Sequence, residues 1–429
     1  MNRRRIIVIG EGAAGLMAAG QAAENGAETL LLGKMDRPGC KLRLTGNGRC
    51  NLTNTDPLPE FITHFHPDGR FLRQALSQFF SDDLRVFFER LGVPTVIEQQ
   101  RFVFPASGKA ADVVDALVRW VEQKGVTLEM MSPVEGLIAE QGRIISVRAG
   151  QKNGTKHIYY TDAVILATGG ASYPSTGSSG DGYRLAEAAG HTIVPIRPAL
   201  VPLETSGDIA PKLQGLSLDN VKITTLANDK KIAHNTGLPR RSEAKTGEIL
   251  FTHFGLSGPA VLSLSGCVVD ELTAGKKITI AIDLMPDVNE SQLELLLVRK
   301  LAENGRKQIS SLIKQVLPAR LCELFCELNG ISPDKQAGQI TAAERKKLKT
   351  FLKNFRLDIT GHRGFNEAIV TAGGVSTKEI DPRTMASRLV KGLYFAGEVL
   401  DIDGDTGGYN LQAAFSTASL AAASAVCGL

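Results

Sequence analysis

A chain of 429 residues with 43% hydrophobic content is too long for one core and predicts two or more domains. Charged residues make up 22% and the net charge is +4, which excludes a global field built for nucleic acid or an anionic membrane and points to a small-molecule partner. Six cysteines without a C-x-x-C argue against a disulfide framework and for reduced thiols in the cytoplasm.

Arg3, Arg4 and Arg5 ahead of an apolar run imitate a signal peptide, but Glu11 and three glycines interrupt the run, so it reads as folded structure. No stretch of about eighteen apolar residues predicts a membrane span. Arg5 to Gly10 is short and rich in β-branched residues, which predicts a strand, and Ala13 to Glu24 predicts a helix. The turn between them carries Gly10, Gly12 and Gly15 in G-x-G-x-x-G order. Gly10 permits a tight bend, Gly12 lets a dinucleotide pyrophosphate approach, and Gly15 lets helix and strand pack. Ala13 and Ala14 open the helix whose N-terminus would face the phosphates. A second strand is expected at Thr29 to Leu32. The residue ending it is normally acidic and binds the adenosine ribose; here it is Gly33, with Lys34 and Asp36 as nearest substitutes. A carboxylate placed at Gly33 is therefore expected to tighten binding.

The segment Cys40 to Asn54 is a polar loop holding Gly46, Gly48, Lys41, Arg43, Arg49 and Asn51, a composition suited to wrapping phosphates. Cys50, beside Arg49, is a candidate for a thiol of lowered pKa near the cofactor. A helix is expected at Asp112 to Lys124 and a parallel strand at Val126 to Met131. Glu135 to Tyr160 predicts a β-meander turning at Gly142 and Asn153-Gly154. Val134, just ahead of it, is counted among the cofactor contacts. The strand at Ala163 to Ala167 runs into Thr168, Gly169 and Gly170, where bare backbone would meet a dinucleotide.

The pattern changes at Ile193 and returns near Arg356. The fold class expected is α/β: a Rossmann-like domain split into 1–192 and 358–429, with a β-rich subdomain at 193–288 and a helical subdomain at 289–357 inserted. Ile278, Ile280 and Ile282 alternate strictly, as in a half-buried strand. Thr341 and Glu344 form a capping box that opens a helix to Asn354, with earlier helices from about Ser291 and Pro318. Arg345, Lys346, Lys347, Lys349 and Lys353 on the capped helix read as a solvated face before they read as a nucleic-acid surface. Cys322 and Cys326 share a helix face with no histidine near, which predicts packing; no metal site is expected.

In the tail, a strand ends at Ala396-Gly397-Glu398 and a loop leads through Gly407 and Gly408 into an alanine-rich helix. Asp401, Asp403 and Asp405 imitate a calcium loop, but Thr406 stands where glycine is needed and Gln412 where glutamate is needed. A flavin fits better. Glu398 can accept from ribityl hydroxyls, and the helix N-terminus at Tyr409, Asn410 and Leu411 can stabilise negative charge on reduced flavin.

The whole chain resembles the BaiN-like, YhiN-type NAD(P)/FAD-dependent oxidoreductases, distant relatives of the fumarate reductase flavoproteins. The resemblance rests on Gly46-x-Gly48-Arg49-Cys50-Asn51, Phe104-Pro105-x-Ser107, A-T-G-G from Ala167, Phe251-Thr252-His253 with Ser257-Gly258-Pro259, Thr371 to Val375, and G-E-V-L-D with G-G-Y-N in the tail. It implies a split FAD domain with inserted barrel-like and helical parts. It also implies non-covalent FAD contacts at the N-terminal glycines, the Arg49 loop, the Thr168-Gly169 turn and the Glu398 tail. Val370-Thr371-Ala372-Gly373-Gly374 lacks the histidine of the fumarate reductase motif, so fumarate is not the expected substrate. The expected reaction is hydride transfer between a small organic molecule and the flavin, with NAD(P)H a transient electron donor. His253 is the acid/base candidate, because histidine titrates near working pH. An RNA-modifying flavoenzyme and a non-catalytic flavin-binding protein are the rival classes.

Overall fold

The computed structural model describes residues 3–99, 101–150, 154–231 and 244–429. The expected turn residue Asn153 lies outside them. Contacts divide the chain into two units, one formed by Met1–Ala199 with Gly364–Leu429 and the other by most of the chain between them.

In the first unit, β1 (Arg5–Ile9), α1 (Ala13–Glu24) and β2 (Glu28–Leu32) follow one another as the glycine-rich turn requires. Helix α2 (Ala110–Gln123) leads to β3 (Thr127–Glu129). The meander is β4 (Val134–Glu140), β5 (Arg143–Gly150) and β6 (Lys156–Tyr160), paired antiparallel. Then come β7 (Ala163–Leu166), α3 (Asp181–Ala188), β8 (Ile193–Ala199), β9 (Val370–Val375), β10 (Leu393–Phe395) and α4 (Tyr409–Cys427). Five strands form a parallel sheet in the order β10-β7-β1-β2-β3, with Val8 opposite Ile165 and Leu31. Every residue of β7 and β10 is buried, as expected where helices cover both faces of a parallel sheet. Gly20 lets α1 lie against α2: a Cβ there would stand 2.1 Å from the Trp120 ring.

The expected boundary before Ile193 differs from the contact division. Strand β8 pairs antiparallel with β9, Pro198 opposite Thr371, and this ladder ties residues up to Ala199 into the first unit. The far boundary falls after Arg363, because the strand Phe355–His362 belongs to the second unit's sheet.

That second sheet closes on itself. Ser217–Ala227 pairs with Ala244–Phe251, then Gly255–Ser257, Leu203–Thr205, Phe355–His362 and Ile278–Asp283 follow, and the last pairs back onto Ser217–Ala227. Closure leaves no free edge among these six strands. Ile278, Ile280 and Ile282 all point into the core. The helices are not a separate body: Leu293, Leu321, Phe325, Leu348 and Phe351 share one hydrophobic core with the barrel strands. Cys322 and Cys326 are buried in it, and burial pushes the Cys322 thiol up to about 11. Among the described residues, no helix is long and apolar enough to cross a membrane.

Candidate functional site

The three glycines of the first turn do three different jobs. Gly10, at φ +108°, leaves room for the end of β7, since a Cβ would lie 2.5 Å from the Ala167 carbonyl oxygen. At Gly15 a Cβ would lie 1.7 Å from the Gly10 carbonyl oxygen, so only glycine lets α1 start this close to the strand. At Gly12 no described heavy atom lies within 4 Å of the Cβ position. Its backbone faces open space at the helix N-terminus, ahead of Ala13 and Ala14, where a pyrophosphate would sit. Beside this turn the Thr168 hydroxyl is buried without a hydrogen-bond partner among the described residues, a donor and acceptor awaiting a ligand. Gly169 follows at φ +72°.

A cleft opens there, lined by Gly10, Glu11, Lys34, Val134, Thr168 and Asp181 among others. The Lys34 ammonium is turned onto Asp181 at 2.5 Å and onto Ser179. Asp181 loses solvation by partial burial, yet its carboxyl is held below the usual range by Lys34. Val134 is buried, and Arg184 donates to the Glu135 carbonyl next to it at 2.9 Å. These features fit the ADP half of FAD.

A second cluster joins the two ends of the sequence. The Lys41 ammonium donates to Glu398 at 2.7 Å and to Ser172 at 3.0 Å. The other Glu398 oxygen accepts from the Thr371 amide at 2.8 Å and the Ser172 hydroxyl at 2.9 Å. Gly170 makes room for this cluster: a Cβ there would stand 2.5 Å from the Thr371 hydroxyl oxygen and 2.8 Å from Glu398. Gly397, at φ +75°, lets the tail lie on α1, since a Cβ there would stand 2.8 Å from the Ala14 Cβ.

The Arg49 loop is anchored more than it is open. Arg49 stacks on Phe104, 4.5 Å from the ring centroid, and pairs with Glu98. Gly48 alone keeps open space beside it. Cys50 is not a lowered-pKa thiol. It is fully buried, and burial pushes it up to about 12, outweighing a hydrogen bond from Thr45. Asn51 is half-buried, its amide within reach of the Thr53 and Val103 carbonyls.

In the tail, the Tyr409 ring is buried, stacks on His64 at 4.3 Å, and its hydroxyl donates to Asp56 at 2.6 Å. The Asn410 amide folds back on the Gly404 carbonyl at 2.8 Å, and Leu411 packs into the core. What this end of α4 presents is therefore backbone N–H groups rather than these side chains. His253 belongs to the second unit; it is exposed, with its ring 5.0 Å from that of Phe254.

Sequence reasoning missed Glu11, Ser172, Thr371 and Asp181. Two of these carried a signal: Thr371 as part of the Thr371 to Val375 motif, and Glu11 as the single charged residue inside a glycine-rich turn.

The profile of the HI0933-like protein Rossmann domain matches residues 4–424. The chain belongs to this family. It is 33% identical over 420 residues to a 3-dehydro-bile acid delta(4,6)-reductase of Clostridium scindens, covering 97% of this chain and 98% of that one. It is 32% identical over 419 residues to a ribosomal RNA dihydrouridine synthase of Escherichia coli, covering 97% of both. Among solved structures, the open conformation of a flavocytochrome c3 fumarate reductase covers 100% of this chain and 78% of its own, at 14% identity and a TM-score of 0.52. The family resemblance read from the motifs therefore holds. The fold is the Rossmann-type fold of flavoproteins.

Proposed function

We propose that this HI0933-like protein is an FAD-dependent reductase that saturates a carbon–carbon double bond conjugated to a carbonyl. One observation carries the reading: over nearly the whole chain it is above 30% identical to two proteins whose names imply the same change. A 3-dehydro bile acid with delta(4,6) unsaturation is a ring enone, and uridine becomes dihydrouridine by losing a ring double bond conjugated to a carbonyl.

Bound FAD would supply hydride to the alkene carbon remote from the carbonyl. The chain's own residues bind and orient. Gly12 and the N-terminus of α1 would take the pyrophosphate and the Thr168 hydroxyl would gain a partner. Lys41 holds Glu398 in one place beside Ser172 and Thr371. Backbone N–H groups at the start of α4 supply fixed positive dipole for a reduced isoalloxazine. His253, exposed in the second unit, is proposed as an acid/base residue. NAD(P)H is proposed as a transient donor, because the sequence holds no second G-x-G-x-x-G on a strand and helix.

A small ring enone is the favoured substrate class. Part of the charge on the basic helix that would serve RNA is committed within the fold: Arg345 and Lys349 share Glu294 at 2.8 and 3.3 Å, and Lys353 pairs with Asp283 at 2.6 Å. The second reading, uridine in RNA, is favoured by the identity to the dihydrouridine synthase. The test reduces the flavoprotein without oxygen and follows return of the yellow colour on adding a 4-en-3-one steroid or a uridine-containing transcript. Reoxidation by the steroid supports the first reading. Reoxidation by the transcript alone, weakening steeply with salt, replaces it with the second. Reoxidation by neither, with an intact fold, leaves a flavin-binding protein without this activity.

A further inference from the structure

The cleft beside β2 holds a carboxylate where the sequence pattern has none. Gly33 ends β2 and carries no side chain, yet the space it would fill is taken. A Cβ there would lie 2.6 Å from the Met130 Cε and 3.1 Å from the Glu11 Cβ. Glu11 reaches across from the glycine-rich turn. One of its oxygens accepts from the Met35 amide at 3.0 Å and the other from the Lys34 amide at 3.2 Å. These two bonds pin the carboxylate just past the end of β2, on the wall of the cleft that Gly10, Val134 and Thr168 also line.

We infer that Glu11 is the ribose-binding carboxylate of this chain, transposed from the end of the second strand to the first turn; this rests on the reading that the first unit holds FAD. An ionised carboxylate has about four acceptor positions. The two backbone amides use one on each oxygen, which leaves each oxygen able to accept from one hydroxyl of a vicinal diol. Glu11 is only 9% exposed, and a carboxylate so buried is stabilised by further donors. The rival groups are placed less well. Asp36 is exposed and is not among the residues lining the cleft. Lys34 has no acceptor, and its ammonium is committed to Asp181. The transposition also explains why residue 33 is glycine: a carboxylate there would stand against Glu11, like charge on like.

The test titrates FAD, and FAD carrying 2′-deoxyadenosine, into apo protein by flavin fluorescence, with apo melting temperatures alongside. Wild type is expected to prefer FAD over the deoxy form by about tenfold, the value of one charge-assisted hydrogen bond net of its costs. E11A should weaken FAD by at least about tenfold and lose that preference, which a purely structural role would not do. G33E should not tighten binding while Glu11 is present, contrary to the expectation from sequence. E11A/G33E should regain the preference once Met130 swings aside, restoring the carboxylate from the usual position. An E11A protein that folds and keeps both affinity and preference overturns the inference, as does a G33E protein that binds tighter. Wild type that takes up no FAD at all overturns the FAD reading itself, and the inference with it.

Discussion

Lys41 and Glu398 lie 357 positions apart in sequence and 2.7 Å apart in space. Both side chains are about four-fifths buried, at 20% exposure each, and Glu398 also serves Ser172 and the Thr371 amide. The pair thus closes the split domain with a network in which each oxygen of Glu398 is satisfied.

Removing Glu398 strands three donors at once. E398A is expected to destabilise the apo protein by about 1 to 3 kcal/mol, discounted for the remaining solvent contact. E398Q keeps one acceptor oxygen for the Thr371 amide and Ser172 but turns an NH2 toward the Lys41 ammonium, so its loss should be smaller than that of E398A without vanishing. Urea unfolding of the apo forms measures both. A Gln variant as stable as wild type would mean that the Lys41–Glu398 ion pair contributes nothing to the fold.

Cys50 should be silent to thiol reagents. With its pKa pushed up to about 12 by burial, roughly one thiol in ten thousand is ionised at pH 8, and the thiolate is the reactive form. Brief treatment of native protein with iodoacetamide should label exposed Cys427 and spare Cys50 until denaturant is added. Peptide mass spectrometry reads the result, and early alkylation of Cys50 would contradict the burial argument.

Much of the first unit was legible because its signals are local. The glycine spacing and the β-branched run place β1, α1 and β2 within a residue or so, and in the second unit alternation at Ile278, Ile280 and Ile282 marks a strand. The pairing of β8 with β9 was not legible, since Pro198 and Thr371 meet only through the tertiary fold. The role of Glu11 was hidden for a related reason. The motif treats position 11 as variable, and the direction of its side chain depends on the bareness of Gly33 and on amides at Lys34 and Met35. Tyr409 and Asn410 were found as residues of the tail, but no sequence rule says that Asp56 and Gly404 would claim their polar atoms.

Acid should loosen the first unit through His191. Its side chain is fully buried, with Nε2 2.8 Å from the Ser387 hydroxyl oxygen and Nδ1 3.2 Å from Glu379. Burial holds its pKa below 6.5, more than Glu379 raises it. Between the folded and unfolded values the unfolded chain binds more protons, so this contribution is present above about pH 6.5 and is lost as pH falls through the folded value. His362 is depressed for the same reason and contributes with the same sign in the second unit. H191Q should cost stability at every pH while flattening the slope of stability below pH 6.5. Denaturant midpoints from pH 5 to 8 test this, and an unchanged slope would rule His191 out as a contributor.

The last prediction separates folding from cofactor binding within one motif. The motif assigns Gly12 and Gly15 different roles and the structure separates them: a Cβ at Gly15 would stand 1.7 Å from the Gly10 carbonyl oxygen whereas one at Gly12 meets nothing. Backbone cannot yield as a flexible side chain can, so G15A should force α1 away from β1 and cost several kcal/mol, of the order of about 3. G12A should leave the apo fold within about 0.5 kcal/mol of wild type, as a position whose Cβ would meet nothing predicts. Its methyl group would stand where the pyrophosphate must approach the backbone, so FAD affinity should fall by about tenfold or more. Urea unfolding of the apo proteins and fluorescence titration of FAD decide the two halves separately. If G12A binds FAD as wild type does, the open space at Gly12 is not the phosphate site, and the cradle must be sought elsewhere along the cleft beside Thr168.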